Sequence, residues 1–219
     1  MTWDVEALLN HIQELLGEPV GAFYNISTRL SQLNMAQRTL VEETRALSST
    51  ATLSLTTATN EYSVPVDFLT FDAQAPYLIE SGDTTPIPVK VTTPSILDKT
   101  SPGWQDTTQT GRPAKIIRRG STLTVVPTPD ASYTLYLPYT VEPDELTDMT
   151  DVPFNGDLSL NRFAPLLAYA VARTHMIARA PQLAEMFEAM YTREERKMRH
   201  FVRSNPQHHQ TILPPTYRR

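Results

Sequence analysis

Leu123-Thr124-Val125-Val126-Pro127-Thr128-Pro129-Asp130, followed by Tyr133-Thr134-Leu135-Tyr136-Leu137-Pro138-Tyr139, is the stretch that decides the fold. Both parts read as short alternating strands that end at a proline, since proline fixes φ and has no N–H to donate to a β-ladder. The same pattern occurs earlier, in Tyr62-Ser63-Val64-Pro65-Val66-Asp67-Phe68, and Gly111-Arg112-Pro113 lies between. These stretches predict a β-rich module in the middle third of the chain.

Helical periodicity lies on both sides of this module. Apolar residues recur at spacings of three and four in four ranges, about 4–16, 27–47, 162–179 and 181–202. Asp4 or Thr2 is a suitable N-cap for the first helix and Gly17 a suitable C-cap. Because each apolar stripe needs a partner, we predict an α+β fold: a bundle of about four helices with a small β-barrel or sandwich-like insertion between helices 2 and 3.

The insertion is expected to begin in the hydroxyl-rich stretch 48–60 and to contain many short strands. Its middle, 93–111, lacks periodicity and is expected to be a long excursion, with Trp104 folded back as a lid or pointing outward to a neighbour. The further strand candidates are 61–64, 68–72, 76–80, 87–92, 115–119, 122–126 and 133–139.

The helical patterns also predict which side chains lie on the apolar side of each helix and which lie on the polar side. In the second helix they place Leu30 on the apolar stripe and Arg29 on the polar face. In the last helix they place Leu183 and Met186 on the apolar side. His11 lies among polar residues and is expected to be exposed.

The predicted domain organisation has four segments. Residues 1–50 form the N-terminal helix pair of the bundle, 51–157 the β-rich insertion and 158–203 the C-terminal helix pair. Residues 204–219 are broken by prolines and lack periodicity, so they are expected to form an extended C-terminal arm.

Composition excludes several classes of protein. The 219 residues include 18 prolines and 7 glycines, which indicates fixed turns rather than a flexible chain. There is no cysteine, which excludes a disulfide framework, a zinc–thiolate site and a thiol nucleophile. The sequence contains no apolar run long enough to predict a transmembrane helix. Its acidic start does not resemble a signal peptide, so no membrane partner is expected.

Charge is distributed unevenly along the chain. Residues 1–157 contain 9 Lys and Arg against 20 Asp and Glu, whereas residues 158–219 contain 10 against 4. Such polarity favours head-to-tail association, or a basic surface that meets an acidic partner. Two solvated faces that happen to differ are the alternative.

The sequence gives little support to any candidate catalytic or metal-binding residue. The acidic loop from Glu142 to Asp151 lacks the spacing of a calcium-binding EF-hand and is better explained as a solvated loop that caps the following helix. His200, His208 and His209 lack an accompanying carboxylate or cysteine, and His175 reads as a packed or capping residue. No nucleophile elbow and no glycine-rich phosphate loop occurs. We therefore expect no enzymatic activity, no catalytic residue, no metal and no cofactor.

The ordered motifs resemble the head-to-tail connector, or adaptor, proteins of tailed bacteriophages, which form the ring below the portal. The resemblance is carried by the Tyr62–Phe68 strand, Gly111-Arg112-Pro113, the Pro127-Thr128-Pro129-Asp130 hairpin and the Tyr133–Tyr139 strand. The acidic loop Pro143-Asp144-Glu145-Leu146-Thr147 and an alanine- and leucine-rich helix then follow. The order covers residues 1 to about 200.

This resemblance implies a structural virion protein rather than an enzyme. Its implied partners are further copies of itself in a ring, twelve in number, the portal protein and a tail or nozzle protein. Genomic double-stranded DNA would pass through the channel of the ring without sequence-specific contact. The implied location is the virion neck, between head and tail, after assembly in the host cytoplasm.

The most basic part of the chain is the expected portal-binding region. Extended and proline-broken segments can become ordered on a partner and wrap a large surface. The alternative is a nucleic-acid-binding module that uses the basic C-terminal helix and arm, although two glutamates interrupt the basic residues and no aromatic residues interleave with them. The predicted portal-binding residues are Arg193, Arg196, Lys197, Arg199, Arg203, Ile212, Leu213, Tyr217, Arg218 and Arg219.

Overall fold

A computed structural model describes residues 2–17, 26–177 and 179–205. The described residues form two compact units. Among them, residues 2–17, 26–47, 140–177 and 179–205 make up the helical unit, and residues 48–139 make up the β unit. The fold is α+β, as predicted.

The helices and strands are numbered in chain order. The helices are α1 (Val5–Leu16), α2 (Ile26–Thr44), α3 (Pro94–Thr100), α4 (Leu158–Asn161), α5 (Pro165–Met176) and α6 (Pro181–Ser204). The strands are β1 (Ser48–Leu55), β2 (Glu61–Ser63), β3 (Phe68–Phe71), β4 (Tyr77–Glu80), β5 (Ile87–Pro88), β6 (Lys90–Val91), β7 (Thr110–Gly111), β8 (Lys115–Arg119), β9 (Thr122–Val126), β10 (Thr128–Pro129) and β11 (Tyr133–Val141).

Helix α1 begins and ends at cap residues that the sequence predicts. The Asp4 side chain accepts a hydrogen bond from the Ala7 N–H at 2.8 Å, which satisfies one of the free amides of the first turn. Gly17 ends the helix in the left-handed region at φ 63°, where a glycine carries no Cβ penalty. Local chemistry is therefore sufficient to predict both boundaries.

Helix α5 is central to the helical unit. Helices α1, α2 and α6 all pack against it, and α2 also contacts α6. The four predicted helices thus share one bundle. The fully buried side chains at its centre include Leu8, Ile12, Leu33, Leu40, Leu167 and Met198.

Some side-chain faces differ from the prediction. Arg29 is 4% exposed, whereas Leu30 is only half-buried, so the buried stripe of α2 is rotated by one residue. Leu183 and Met186 are 42% and 47% exposed, because only the opposite side of α6 faces the bundle. His11 is half-buried, with its ring between those of Trp3 and Tyr169.

The β unit contains open sheets, and no closed barrel forms among its described strands. One sheet has the order β2-β9-β8-β6, and Gly120 at φ 58° makes the tight turn of its β8–β9 hairpin. A second sheet has the order β1-β11-β4-β5, with β3 also paired to β11, and β7 pairs with β10. The candidate strand 87–92 divides into β5 and β6, which join different sheets.

The excursion 93–111 is more ordered than its sequence indicates. It contains α3, and Trp104 folds back to 7% exposure against Leu97, Ile117 and Val126. The Trp104 Nε1–H donates to Asp98 at 2.8 Å, so the one polar atom of the indole is satisfied. Seven residues are too few to show a helical period, which explains why the sequence alone missed α3.

The motifs that carry the family resemblance meet in pairs within the β unit. The Tyr139 hydroxyl donates to the Asp67 carboxylate at 3.0 Å, and the Tyr139 ring stacks on Phe68 with centroids 5.4 Å apart. Gly111 pairs with Pro129 in the register of β7 and β10, and a Cβ on Gly111 would stand 3.2 Å from the Pro127 ring. Their order in the sequence therefore reflects shared structural contacts rather than shared chemistry.

Candidate functional site

The outward face of α6 carries a stripe of basic residues. Arg193, Arg196, His200 and Arg203 follow one another at spacings of three and four, so they share one side of the helix, and all four are exposed. Opposite them lie the buried residues Ala184, Phe187, Glu195, Met198 and Val202. We call this side the α6 outer face; toward its N-terminal end it also includes Leu183 and Met186.

The basic residues of α6 are not equivalent. The Arg196 and Arg203 guanidinium groups have no hydrogen-bond or ion-pair partner within the described part of the chain. Arg193 contacts its neighbour Glu194, with Nε to Oε1 at 3.1 Å, while most of its side chain faces solvent. Arg196 and Arg203 are therefore the cations most available to a partner.

Lys197 and Arg199 are already used within the helix. The Lys197 Nζ lies 2.7 Å from Glu194 Oε1, and its hydrogen bond lowers the pKa of Glu194 below the ordinary value. Arg199 donates from Nε to Glu195 Oε1 at 2.8 Å and makes a second contact through Nη2. Because Glu195 is only 8% exposed, Arg199 balances a buried carboxylate. The structure gives these two residues an internal role.

A second group of side chains lies beside the C-terminal end of α6. The Arg162 guanidinium lies 3.8 Å from the centroid of the Phe201 ring and 4.7 Å from that of Phe163, which are cation–π distances. A groove of 420 Å³ beside it is also lined by Lys197, His200 and Ser204. Sequence reasoning missed Arg162, because its contact with Phe201 joins two distant parts of the chain.

The acidic loop is an ordered part of the helical unit. Asn34 brackets Leu146: its Oδ1 accepts from the Leu146 N–H at 2.8 Å, and its Nδ2 donates to the Leu146 carbonyl at 3.0 Å. Gln37 donates to the Asp144 carbonyl and accepts from the Phe154 N–H, both at 3.0 Å. We call residues 142–151 the acidic segment; α2 holds its backbone in one conformation.

Asp151 has a structural role in the acidic segment. Its carboxylate accepts from the Asp148 and Thr147 N–H groups at 2.8 and 2.7 Å, and these bonds lower the pKa of Asp151. The following helix, α4, is capped instead by Asp157, whose side chain accepts from the Ser159 N–H at 2.8 Å. The prediction that the acidic loop caps the following helix is therefore wrong, because the capping residue, Asp157, lies beyond the loop.

A groove of 370 Å³ separates the acidic segment from α2. Met35, which is 67% exposed, and Pro143 provide apolar walls, and Glu142 and Glu145 provide carboxylates. Glu142 pairs with Arg38 at 3.0 Å, whereas the Glu145 side chain has no partner among the residues that the structure covers. We call this the acidic groove; it can accept a side chain with an apolar stem and a cationic end.

The remaining candidates are either packed within the helical unit or lie outside the described residues. His175 is buried and its Nε2 lies 2.8 Å from Gln32 Oε1, which fits the packed residue that its sequence position indicates. His208, His209 and the five predicted portal-binding residues of the arm lie outside the described residues. In residues 2–17, 26–177 and 179–205, no group of three or more histidine or acidic side chains is placed to hold a metal ion.

Within the described ranges, no helix combines the length and the apolar composition that a bilayer crossing requires.

Comparison with known families decides the class of the protein. The model of the SU10 adaptor protein family matches residues 3–211, which is nearly the whole chain. The chain belongs to the SU10 adaptor protein family. This adaptor is thus a structural phage protein, as the motif order indicates, although no curated protein matches its sequence.

Proposed function

We propose that this adaptor is a head-to-tail connector: copies form a ring on the portal, extend the DNA channel and offer the attachment surface for the tail or nozzle. Its site of action is then the virion neck. The role is mechanical and needs no catalytic residue. Family membership supports the adaptor role, and the observation that carries portal attachment is Arg203 at the end of α6, which is exposed and has no partner among the described residues.

Portal docking is assigned to the C-terminal arm together with Arg203 at the end of α6. Arg203 is exposed and unpartnered within the described residues, and the arm follows directly after Asn205. Ile212, Leu213 and Tyr217 can supply apolar anchors, and Arg218 and Arg219 can pair with carboxylates. Lys197 and Arg199 are better explained by their glutamate partners on α6.

The test is removal of residues 206–219, which keeps α6 and the Asn205 that ends it. The shortened chain and the full chain are mixed with purified portal rings and separated by sedimentation. We expect the full chain to sediment with the portal and the shortened chain to remain folded but unbound. Normal attachment of the shortened chain would overturn the portal-docking assignment.

A nucleic-acid-binding role predicts a different result for the same purified chain. A module of that kind binds duplex DNA without portal, and its affinity falls steeply with salt because phosphate contacts release counterions. Attachment to the portal with no DNA retention supports the connector. DNA retention with no portal attachment supports the alternative.

A further inference from the structure

The α6 outer face is a two-part surface that is exposed among the described residues of the helical unit. Its N-terminal part is apolar, with Leu183 and Met186 nearly half exposed. Its central part is basic, with Arg193 and Arg196 exposed. The inward side of α6 is already covered by α5 and α2. Exposed apolar side chains beside exposed cations are typical of a protein-docking surface.

The same unit carries a surface of opposite charge. Asp144, Glu145 and Asp148 are exposed on the acidic segment, and no Lys or Arg lies between residues 140 and 161. Asn34 and Gln37 hold the backbone that presents them. Since this backbone is already ordered, binding does not have to pay for fixing it.

We propose that Arg193 and Arg196 on the α6 outer face of one copy dock into the acidic groove of the next copy, and that this contact links neighbouring subunits. This inference rests on the proposed function, because it supplies the contact from which the ring is built. It leaves Arg203 and the C-terminal arm for the portal.

Charge complementarity is the reason to choose a second copy as the occupant. An arginine stem can pack on Met35 and Pro143 while its guanidinium meets Glu145, the groove carboxylate that has no partner in the described part of the chain. Within the described residues, no ion pair connects α6 with the acidic segment of the same chain. The two charged surfaces therefore remain available for contact between copies.

The placement of the two surfaces determines the type of assembly. The acidic groove is built on α2 and the acidic segment, whereas the arginines lie on α6. When the groove of one copy receives the arginines of one neighbour and its own arginines enter the groove of another neighbour, the contact is heterologous, and its repetition gives a closed ring or an open filament. A two-fold dimer would instead require the arginines of both copies to enter each other's grooves at the same time.

Cross-linking tests the contact directly, since the natural chain has no cysteine. One tagged batch carries Glu145→Cys and an untagged batch carries Arg196→Cys. The two are mixed on purified portal rings, and separately without portal at low salt, and treated with a short bismaleimide. We expect a linked product between the two batches, and none when Lys99→Cys in the β unit replaces Arg196→Cys.

Charge reversal gives a second and independent readout. Variant X carries Arg193→Glu and Arg196→Glu, and variant Y carries Asp144→Lys and Glu145→Lys. Each alone places like charges across every contact, so we expect self-association and loading on the portal to fall about tenfold or more. An equal mixture of X and Y restores opposite charges at every contact between an X copy and a Y copy, in either order, which should recover part of the loss.

The outcomes separate this inference from the proposed function. A portal-bound ring that forms normally from X or from Y alone, or that lacks the Glu145→Cys to Arg196→Cys product, overturns the inference and leaves the connector role intact. A natural chain that neither self-associates nor loads on the portal overturns both. Recovery by mixing supports the contact and excludes misfolding as the cause of the loss, since misfolded variants do not rescue each other. The control variant Lys90→Glu with Lys99→Glu should assemble normally.

Discussion

Asn34 makes two hydrogen bonds with the backbone of Leu146, at 2.8 Å and 3.0 Å, across 112 positions of sequence. This amide acts as a substitute β-strand partner, because it offers one acceptor and one donor to the same residue. It connects the middle of α2 with the centre of the acidic segment. Together with Gln37, this side chain fixes the position of the proposed docking groove.

The first prediction follows from this contact. Asn34→Ala leaves the partly buried Leu146 N–H and carbonyl without their partners, so we expect the free energy of unfolding to fall by about 1–3 kcal/mol. Urea denaturation followed by circular dichroism measures the change. Thr28→Ala, at an exposed position of the same helix, is the control and should change stability by less than about 0.5 kcal/mol. Equal effects of the two substitutions would contradict the assigned role of Asn34.

The second prediction concerns the two kinds of arginine on α6. Arg199→Met leaves the carboxylate of Glu195 buried without its partner, so we expect a loss of about 1–3 kcal/mol. Arg196→Met should change stability by less than about 0.5 kcal/mol, because no pair is broken. Thermal unfolding distinguishes the variants.

The double variant Glu195→Met with Arg199→Met provides a control for this pair. It removes both charges and should recover part of the stability that Arg199→Met loses. A double variant that is less stable than Arg199→Met would show that Glu195 stabilises the fold through contacts other than Arg199, which would contradict the prediction.

The third prediction concerns acid stability. Hydrogen bonds from the Asp148 and Thr147 N–H groups lower the pKa of Asp151 in the folded chain. A lowered folded pKa contributes stability that is present above the unfolded value and is lost as pH falls through the folded value. We therefore expect Asp151→Asn to lower the melting temperature at pH 7 and to flatten its decline below about pH 4. Asp148→Asn, whose carboxylate accepts no hydrogen bond from the described residues, is the control; an identical pH profile for both would refute the prediction.

The fourth prediction concerns the β unit. Trp104→Phe removes the indole N–H that donates to Asp98, together with part of a buried side chain. We expect the free energy of unfolding to fall by about 1–3 kcal/mol. Ile96→Ala on the adjoining α3 removes a side chain that is 47% exposed and should cost less. Chemical denaturation compares the two. A larger effect for Ile96→Ala would place the core of this segment elsewhere.

Local interactions explain the parts of the fold that could be predicted. The apolar spacing from Val5 to Leu16 and the Gly17 cap define α1, and Gly120 marks the β8–β9 turn. These signals depend on residues within a few positions of one another, so they can be read without knowledge of the rest of the chain. The motif order reveals the family for a related reason: the paired motifs are residues that hold the β unit together.

Tertiary structure alone decided which surfaces are available. The sequence by itself established an α+β adaptor with a basic C-terminal helix, but a helical pattern does not tell which side of α6 the bundle covers. Because α6 packs against α5 and α2 with its other side, Leu183 and Met186 remain exposed. The glutamates of α6 form ion pairs with Lys197 and Arg199 but not with Arg196. The contact of Asn34 with Leu146 likewise joins distant residues and produces no local pattern. Such contacts become visible only when the chain is folded, because their partners are chosen by proximity in space rather than in sequence.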